Sequence, residues 1–502
     1  MKNEKKLGAI LSYTNIILNM CISVFFTPFL IRSLGDAEYG LYRVIQSFAG
    51  QFVIMTLGMS TIVSRNIVYY NETNKKEEKE NFLAMAMIIS GILVAILLGI
   101  GIIVYFNINN IFSNSLSSAE IETAKTLFII FLCNIAVTII NDLFSGILNG
   151  HERFAVNNGT KTLNRILRIV ILVVLIKLGF KSIAIVATDL ALMVLVLVFN
   201  MFFGLSHLNE KIKFHYIDKQ MLRATLLFSG AMLLQAVVNQ VNNNMDNFIL
   251  GIMTDTKTVT LYSVGLTIFN AYASLTTVIV SIFSPQATRM VVNNATADDL
   301  TSLVSRTGRY QFIIGGLVVA GFILFGENFI TIWVGKAYIP AYEITLILII
   351  PITIPLIESV SNSILDAKLK RMGRSVILCF MALINVVFSV ILIKFFGYIG
   401  AAYGTALSVI MGHCILLNIY LKKTIGLKVF RMFKDIFKGL LPSIVVSTII
   451  CVPLAVFLPN TFIMFVVKVL IFMFVFLAIV YKFGMNAEEK NMIRNIIKRK
   501  KG

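Results

Sequence analysis

The sequence predicts an all-α, polytopic membrane protein with about 14 transmembrane helices, arranged as two parallel six-helix bundles followed by two additional C-terminal helices. Hydrophobic residues occupy 58% of the 502 positions and charged residues only 14%, which is more apolar surface than a water-soluble chain can bury. Uncharged runs of about 20 residues or more recur along the chain, and each could cross a bilayer as a helix. Strict alternation of polar and apolar residues is absent, which favours helices over a transmembrane β-barrel.

The spans follow from these apolar runs, taken in order with the polar segments as their boundaries. The first is predicted to be retained in the mature protein, because it is longer than the apolar core of a signal peptide. Span five carries Arg165 and Arg168, and span six carries Asp189, which makes these two the weakest by hydropathy. The predicted spans cover residues 7–33, 40–64, 82–106, 123–146, 162–179, 183–205, 222–251, 259–284, 309–333, 341–365, 375–396, 398–421, 437–457 and 461–483.

Positive charges set the predicted orientation. The great majority of the 44 Lys and Arg residues lie at the two termini and in the loops that an even number of spans places on the same side. Because basic segments stay on the cytoplasmic side, both termini are predicted to be cytoplasmic. This asymmetry accounts for the net charge of +19 without a nucleic acid partner, and no nucleic-acid-binding motif is present. The basic tail is predicted to be an interfacial helix on anionic lipid or, equally, a solvated segment.

A repeated pattern divides the chain into two halves. The stretch 27–44, where one apolar helix ends in a polar corner and another begins, has a weaker copy at 247–263. At an offset of 217 positions, the residues ILN at 147–149 fall on ILD at 364–366. Six spans in each half give parallel repeats. The predicted domains are residues 1–206 and 220–421 for the two six-helix bundles, 436–483 for the two additional helices and 484–502 for the tail.

The cysteines give no indication of a redox or metal site. All five lie in apolar segments and none belongs to a CxxC or Cys/His cluster, so they are interpreted as packing residues. No metal site and no cofactor are predicted. A GxxxxGK nucleotide-binding motif is also absent, so the sequence does not favour direct use of ATP. The five residues are Cys21, Cys133, Cys379, Cys414 and Cys451.

Three motifs carry a family resemblance: PFLIRSLGDAEYGLYRV after span one, SGILNGHERFAVNN after span four, and MDNFILGIMTDTKTVTLYSVG around spans seven and eight. Together they resemble the polysaccharide transporters of the multidrug/oligosaccharidyl-lipid/polysaccharide (MOP) exporter superfamily, which includes O-antigen and teichoic-acid flippases. The resemblance implies a MATE-like fold, with two bundles around a cavity that opens alternately to each side. It also implies a lipid-linked oligosaccharide as substrate, usually carried on polyprenyl pyrophosphate, and a prokaryotic cytoplasmic membrane as location. Besides membrane lipids, the expected partners are a polysaccharide polymerase and glycosyltransferases.

The chain departs from some of its relatives in one respect. Flippases for the peptidoglycan precursor are expected, from the same resemblance, to hold pyrophosphate with arginines of the first bundle. Span one of this chain has no charge between Lys6 and Arg32, so the cation that holds a pyrophosphate has to come from elsewhere.

Polar residues inside the spans are the candidates for the substrate path, because polar groups are costly in hydrocarbon and face a wet cavity or another helix. Hydroxyl and amide groups can exchange hydrogen bonds with glycan hydroxyls as water does. The alternative role for these residues is hydrogen bonding between helices. The candidate substrate-binding residues are Asn19, Arg43, Gln46, Asn134, Asp142, Lys177, Asn239, Asn243, Glu358 and Lys394.

Charged candidates allow more specific hypotheses. Asp246 and Glu358 are the candidates for ion coupling, because a carboxylate in a low dielectric can carry a proton or, with backbone carbonyls, hold sodium. Arg43 could bind phosphate through its planar guanidinium, or snorkel to the outer interface. Lys177 and Lys394 are equivalent in the two repeats and end their spans on the outer side. They could attract an anionic substrate, and snorkelling is again the alternative.

Four classes of function come into question for a chain with this many apolar spans. The leading hypothesis is a flippase for a lipid-linked glycan, and the alternative is an ion-coupled multidrug or small-molecule antiporter of the same superfamily, which generally has twelve spans. A major-facilitator carrier also has two parallel repeats, but its basic signature between spans two and three is absent. A membrane enzyme would need a large outer loop for catalytic residues, and none is predicted, so the chain is not expected to be an enzyme. Coupling to H⁺ or Na⁺ is left open.

Overall fold

The computed structural model describes residues 2–56, 58–217, 237, 240–241 and 245–491, and these contain helices and no strand. Several side chains of the first helix, and those of residues 276–278, lie outside this description. The helices are α1 (Lys2–Leu34), α2 (Asp36–Gly50), α3 (Met59–Glu72), α4 (Lys76–Phe112), α5 (Ser118–Gly150), α6 (Phe154–Lys177), α7 (Ser182–Phe202), α8 (245–253), α9 (Thr256–Val292), α10 (Ala297–Trp333), α11 (Ala341–Ile357), α12 (Val360–Ala367), α13 (Arg371–Phe396), α14 (Ile399–Val409), α15 (Asn418–Ile425), α16 (Val429–Phe437), α17 (Leu440–Phe457) and α18 (Phe462–Ile479).

Within the described ranges, 9 helical segments are long and apolar enough to cross a membrane, and two bent helix pairs raise the number to 11. These segments coincide with predicted spans two to four, six, and eight to fourteen. Helices α1 and α6 occupy the places of spans one and five, and most of span seven lies outside the description. The predicted all-α, polytopic membrane class is confirmed.

Local sequence signals fix the starts of two of the long helices. At α5, the Ser117 side chain accepts from the backbone of Glu120, and the Glu120 carboxylate accepts from the Ser117 backbone. Thr296 and Asp299 form the same reciprocal capping box at α10. Between α1 and α2, Gly35 has φ 80°, a conformation that favours glycine, and this makes the polar corner that the sequence predicts.

The chain divides into two compact units, Met1–Ser263 and Val264–Gly502. In the first unit α5 packs against α3, α4 and α7. The glycines of α5 allow the closest approach, since a Cβ at Gly146 or Gly150 would come within 2.8 Å of Val63 or Ile67 on α3. Leu143, Phe144 and Ile147 on the same helix belong to a fully buried apolar core in this unit, shared with α3 and α4.

The two copies of the corner motif meet within the first unit. A Cβ at Gly40 on α2 would lie 1.9 Å from the backbone oxygen of Thr256, so these segments approach as only glycine permits. On α8, a Cβ at Gly251 would lie 2.5 Å from the Val44 side chain on α2. These contacts explain why this compact unit extends to Ser263, beyond residue 206. The boundaries of the two six-span bundles stay a prediction.

In the second unit, α10 packs against α11 and against α16 to α18. Helices α11 and α12 are bent by 45° at the break that follows Pro351 and Pro355. Proline removes a backbone donor and its ring displaces the preceding turn, which accounts for the bend. The break leaves Glu358 at the end of α11, between two helical segments.

A buried arginine joins three segments of this unit. Arg309 on α10 binds both carboxylate oxygens of Glu489, with Nε to Oε1 at 2.6 Å and Nη2 to Oε2 at 3.0 Å. Its remaining donors reach the backbone oxygens of Asp435 at 2.9 Å, Lys438 at 3.0 Å and Gly484 at 2.8 Å. Arg309 therefore fixes the turn between α16 and α17 and the segment after α18 against α10.

In the first unit, Glu210 contacts the adjoining ends of α4 and α5. Its Oε1 lies 2.7 Å from the Lys79 ammonium and 2.6 Å from His151 Nε2. Burial alone would raise the pKa of Glu210, but the hydrogen bonds and charges of His151 and Lys79 outweigh burial and lower it. The ionised carboxylate therefore contributes to stability at neutral pH, and this contribution is lost as the pH falls through the lowered pKa.

We expect Glu210→Gln to lower the apparent melting temperature at neutral pH, because the amide keeps the shape and loses the charge. The difference from the wild-type protein should shrink on acidification, as the wild-type carboxylate itself becomes protonated. Thermal unfolding of the purified protein across a pH series measures this. Glu77→Gln, an exposed position on helix α4 near the Glu210 partner Lys79, is the matched control. A difference that is constant with pH would show that the charge of Glu210 does not matter.

Candidate functional site

One face of α6, a helix that also contains several Asn and Thr residues, carries three cations. Lys161, Arg165 and Arg168 follow each other at spacings of four and three, which places them on one side of the helix. We call these three residues the α6 cation stripe. In the sequence alone the two arginines only weakened the prediction of span five, although their helical spacing with Lys161 is a signal that could have identified the stripe.

The first part of the stripe faces α1 and α5. Arg165 Nη1 donates to the backbone oxygen of Asn15 at 2.7 Å and to its side-chain oxygen at 3.2 Å. Asn15 in turn donates to the backbone oxygen of Asn158 at 3.1 Å, so α1 and α6 are joined by polar contacts. Lys161 is exposed, and Asp142 on α5 is the carboxylate that attracts it. The predicted substrate residue Asp142 thus lies beside a cation that the sequence did not single out.

Arg168 joins α6 to α7 and α2. Its Nε and Nη2 bind the two carboxylate oxygens of Asp189 at 2.5 and 3.0 Å, which is the bidentate geometry of a strong ion pair. Arg168 also interacts with Tyr42 on α2, whose side chain is buried. Charged residues inside a span are costly and usually pair with one another, and they often mark a functional site. The Arg168–Asp189 pair is therefore part of the candidate site.

A chain of hydrogen bonds continues from Tyr42 along α2. Gln46 Nε2 donates to the Tyr42 hydroxyl at 3.0 Å, and Arg43 Nη1 donates to Gln46 Oε1 at 3.0 Å. Arg43 Nε then donates to Ser263 Oγ at 3.3 Å, and Ser263 donates to Asn247 Oδ1 at 3.2 Å. We call Tyr42, Gln46, Arg43, Ser263 and Asn247 the α2 polar chain. It links the cation stripe to α8 and α9.

Asp246 lies next to this chain on α8. Its buried carboxylate accepts a hydrogen bond from the Tyr262 hydroxyl at 2.7 Å. The polar interior of the first unit has more cations than carboxylates. The cations are Arg43 and the three residues of the stripe, and the carboxylates are Asp142, Asp189 and Asp246. Such an excess suits an anionic ligand.

Positions that the predicted repeat relates to each other hold different polar residues. In the first unit, Asn200 Nδ2 donates to Asn141 Oδ1 at 2.9 Å. Positions 217 and 218 residues later hold Glu358 and Asn418. Asn418 is near enough to influence the Glu358 carboxyl group, but its amide nitrogen donates to the backbone oxygens of His413 and Cys414 at 3.3 Å. The second unit therefore replaces a neutral amide pair with a carboxyl group.

Glu358 is only 1% exposed, and neither carboxylate oxygen has a hydrogen-bond partner among the residues that the structure describes. The Asn418 and Asn362 amide oxygens are likewise buried without a partner in that part of the chain. A buried carboxylate without donors is costly as a bare anion, so it requires a proton or a bound cation. An accumulation of acceptor oxygens is the chemistry that either would satisfy.

Some predicted residues lie together and others apart. Arg43 and Gln46 bond to each other within the α2 polar chain. Asn134 is half-buried on α5, and Lys177 and Lys394 are exposed at the ends of α6 and α13. The roles of all these residues stay predictions. Three further candidates cannot be placed, because the side chain of Asn19 and the whole of Asn239 and Asn243 lie outside the described residues.

Comparisons with known proteins agree with this architecture. A family model described as "Polysaccharide biosynthesis protein" matches residues 7–292. A candidate O-antigen transporter from Shigella flexneri is 22% identical over 400 residues, which cover 78% of this chain and 92% of that protein. The structure of the lipid II flippase MurJ in an inward closed conformation aligns with a TM-score of 0.72 and 18% identity, over 94% of this chain and 97% of that one. An inward-facing multidrug resistance MATE transporter of the MOP superfamily aligns with a TM-score of 0.59 and 16% identity, over 82% and 96% of the two chains.

Proposed function

The chain belongs to the polysaccharide biosynthesis protein family, among the polysaccharide transporters of the MOP superfamily, and we propose that it is a flippase for a lipid-linked oligosaccharide. The substrate is a glycan on polyprenyl pyrophosphate, moved from the inner to the outer leaflet of the cytoplasmic membrane by alternating access. In this proposal both termini are cytoplasmic, the organism is a prokaryote, and a polymerase and glycosyltransferases supply and use the glycan.

The observation that carries this proposal is the α6 cation stripe with the α2 polar chain beside it. A pyrophosphate brings at least two negative charges into a low dielectric, which requires counter-charges in the path. Lys161, Arg165 and Arg168 offer cations on one helical face, of which Lys161 is shared with Asp142 and Arg168 with Asp189. Arg43 offers a further cation through the polar chain. The amides and hydroxyls of the same chain suit the sugar hydroxyls.

The same charges argue against the antiporter alternative. Multidrug antiporters commonly take lipophilic cations, which an interior with an excess of positive charge repels. A polyanionic head group is attracted by it. The family match and the Shigella flexneri relative also support glycan transport over drug transport.

In this proposal, Glu358 couples transport to a proton or sodium gradient. Its carboxylate oxygens, which have no hydrogen-bond partner among the described residues, can take up a proton or, with the neighbouring amide oxygens, a sodium ion. Releasing that ion on one side of the membrane would give the transport cycle a direction. Asp246 is the second coupling candidate, and its bond to Tyr262 makes it the better satisfied of the two.

Neutralising the first two residues of the stripe tests the proposed substrate. We expect Lys161→Gln with Arg165→Gln to slow transport of a polyprenyl pyrophosphate-linked glycan in proteoliposomes by at least about 100-fold, because each of the two charge-assisted contacts contributes about 1.5–3 kcal/mol. Lys257→Gln, an exposed cation at the start of α9, is the matched control and should transport normally. Normal transport by the double variant would remove the stripe from the mechanism. A wild-type protein that exports lipophilic cations and leaves the lipid-linked glycan in place would establish the antiporter alternative.

A further inference from the structure

The cation stripe interacts with carboxylates from the two neighbouring helices. Asp189 on α7 accepts from both Nε and Nη2 of Arg168, at 2.5 and 3.0 Å. Asp142 on α5 is the carboxylate that attracts Lys161. Arg165, which lies between these two cations on α6, donates to the neutral oxygens of an asparagine on α1. Two of the three stripe cations therefore already interact with a carboxylate of the chain itself.

The bond between Arg168 and Asp189 uses the edge of the guanidinium with which arginine commonly binds phosphate. Two parallel N–H groups on such an edge match two oxygens of a carboxylate or two oxygens of a phosphate. A phosphate that binds this edge of Arg168 must therefore replace Asp189. The two side chains are 26% and 24% exposed, so an anion can reach the pair without unfolding either helix.

The carboxylates keep the polar interior of the first unit close to neutral. Its four cations would be costly in a low dielectric without counter-ions, because they would repel one another and lose their hydration. Asp142, Asp189 and Asp246 balance all but one of these charges. A pyrophosphate carries at least two negative charges, so it has to compete with the carboxylates for the cations that it binds.

We propose that Asp189 is a competitor, within the protein, of the substrate's pyrophosphate. It binds Arg168 when the site holds no substrate, is replaced there by the pyrophosphate, and binds Arg168 again as the substrate leaves. Asp142 has the same role toward Lys161. This inference rests on the proposed function and deepens it. A transporter has to release what it binds, and a competing carboxylate lowers the affinity for the substrate and speeds its dissociation.

Equilibrium binding of farnesyl pyrophosphate, a short-chain analogue of the carrier, tests this exchange on the purified protein. We expect Asp189→Asn to bind it at least about tenfold more tightly than wild type, equivalent to about 1.4 kcal/mol, because the amide does not compete for Arg168. Asp189→Glu keeps the charge and should bind like the wild-type protein. Farnesol, which carries no charge, should bind equally to all three proteins. Glu122→Gln, which breaks an exposed ion pair with Lys125 at the start of α5, is the matched control and should leave the affinity unchanged.

Two further measurements separate competition from a purely structural role. If Asp189 competes, Asp189→Asn should lower both KM and the maximal rate of glycan transport in proteoliposomes, because a more tightly held substrate leaves more slowly. The variant should melt below wild type without ligand, since Arg168 has lost its counter-ion, and farnesyl pyrophosphate should raise its melting temperature more than that of wild type. If the pair only joins α6 to α7, the variant should bind farnesyl pyrophosphate equally or more weakly, which would overturn the proposal.

Asp142→Asn gives a measurement that does not depend on the folding of the Asp189 variant. It leaves the bidentate bond between α6 and α7 in place. We expect this variant also to bind farnesyl pyrophosphate more tightly than wild type, by a smaller factor because Lys161 is exposed and better solvated. If Asp189→Asn cannot be purified in a folded form, unchanged or weaker binding by Asp142→Asn overturns the proposal by itself.

The two proposals fail separately. If the wild-type protein transports the glycan and binds farnesyl pyrophosphate, and the neutral variants bind it no more tightly, Asp189 is not a competitor and the flippase function stands. If the wild-type protein neither transports the glycan nor binds farnesyl pyrophosphate, the proposed function itself is wrong, and the inference about Asp189 is wrong with it.

Discussion

Arg309→Met is expected to destabilise the protein more than any substitution of an exposed residue on α10. Arg309 is 6% exposed and Glu489 is 3% exposed, so the substitution leaves a buried carboxylate without its cation and several backbone oxygens without their donor. Breaking a buried ion pair in this way costs about 3–5 kcal/mol. Arg309→Lys should be intermediate, because a lysine keeps the charge and cannot bind both oxygens of Glu489 in a planar fork.

The apparent melting temperature in detergent measures this effect. Arg306→Met, on the exposed face of the same helix, is the matched control, since its guanidinium bonds only to Tyr310 among the residues described and lies in solvent. Combining Arg309→Met with Glu489→Gln should recover part of the loss, because the unpaired charge is removed with its partner. A melting temperature for Arg309→Met equal to that of Arg306→Met would contradict this role.

Glu358→Gln is expected to reduce ion-driven transport by about 100-fold while the protein remains folded. The amide keeps the size of the side chain, and it cannot release a proton or balance the charge of a sodium ion. Removing a buried and unsatisfied carboxylate does not cost stability, and the variant should melt at or above the wild-type temperature. Reduced transport with retained stability is the signature of a coupling role.

Transport into proteoliposomes under separate proton and sodium gradients measures the coupling. If Glu358 binds sodium, the wild-type rate should depend on the sodium gradient, and if it carries a proton, the rate should follow the pH gradient. In both cases Glu358→Gln should be insensitive to the gradient. Asp246→Asn is the comparison, and its effect should be smaller because the amide oxygen can still accept from Tyr262. A Glu358→Gln protein that transports normally and still responds to either gradient would exclude Glu358 from coupling.

The sequence by itself determined the membrane class, the predicted spans and the family. Hydropathy is a property of contiguous residues, so apolar runs of about 20 residues identify spans without knowledge of what they contact. The same is true of the capping signals at Ser117 and Thr296 and of the corner at Gly35, which depend on neighbours a few residues away. The motifs at spans one, four and seven were sufficient to predict the family.

Only the tertiary structure decided which polar residues belong together. Arg43 was a candidate in the sequence, but its bond to Ser263 joins positions 220 residues apart. The partners of Arg168 and Arg309 are Asp189 and Glu489, which no local pattern connects to them. In a membrane the energetic cost of a polar group depends on what lies opposite it across a helix interface, and helix packing sets that partner. The sequence therefore reveals that a polar residue lies in a span. The packing of the helices decides whether it binds a neighbour or, like Glu358 within the described part of the chain, is buried without one.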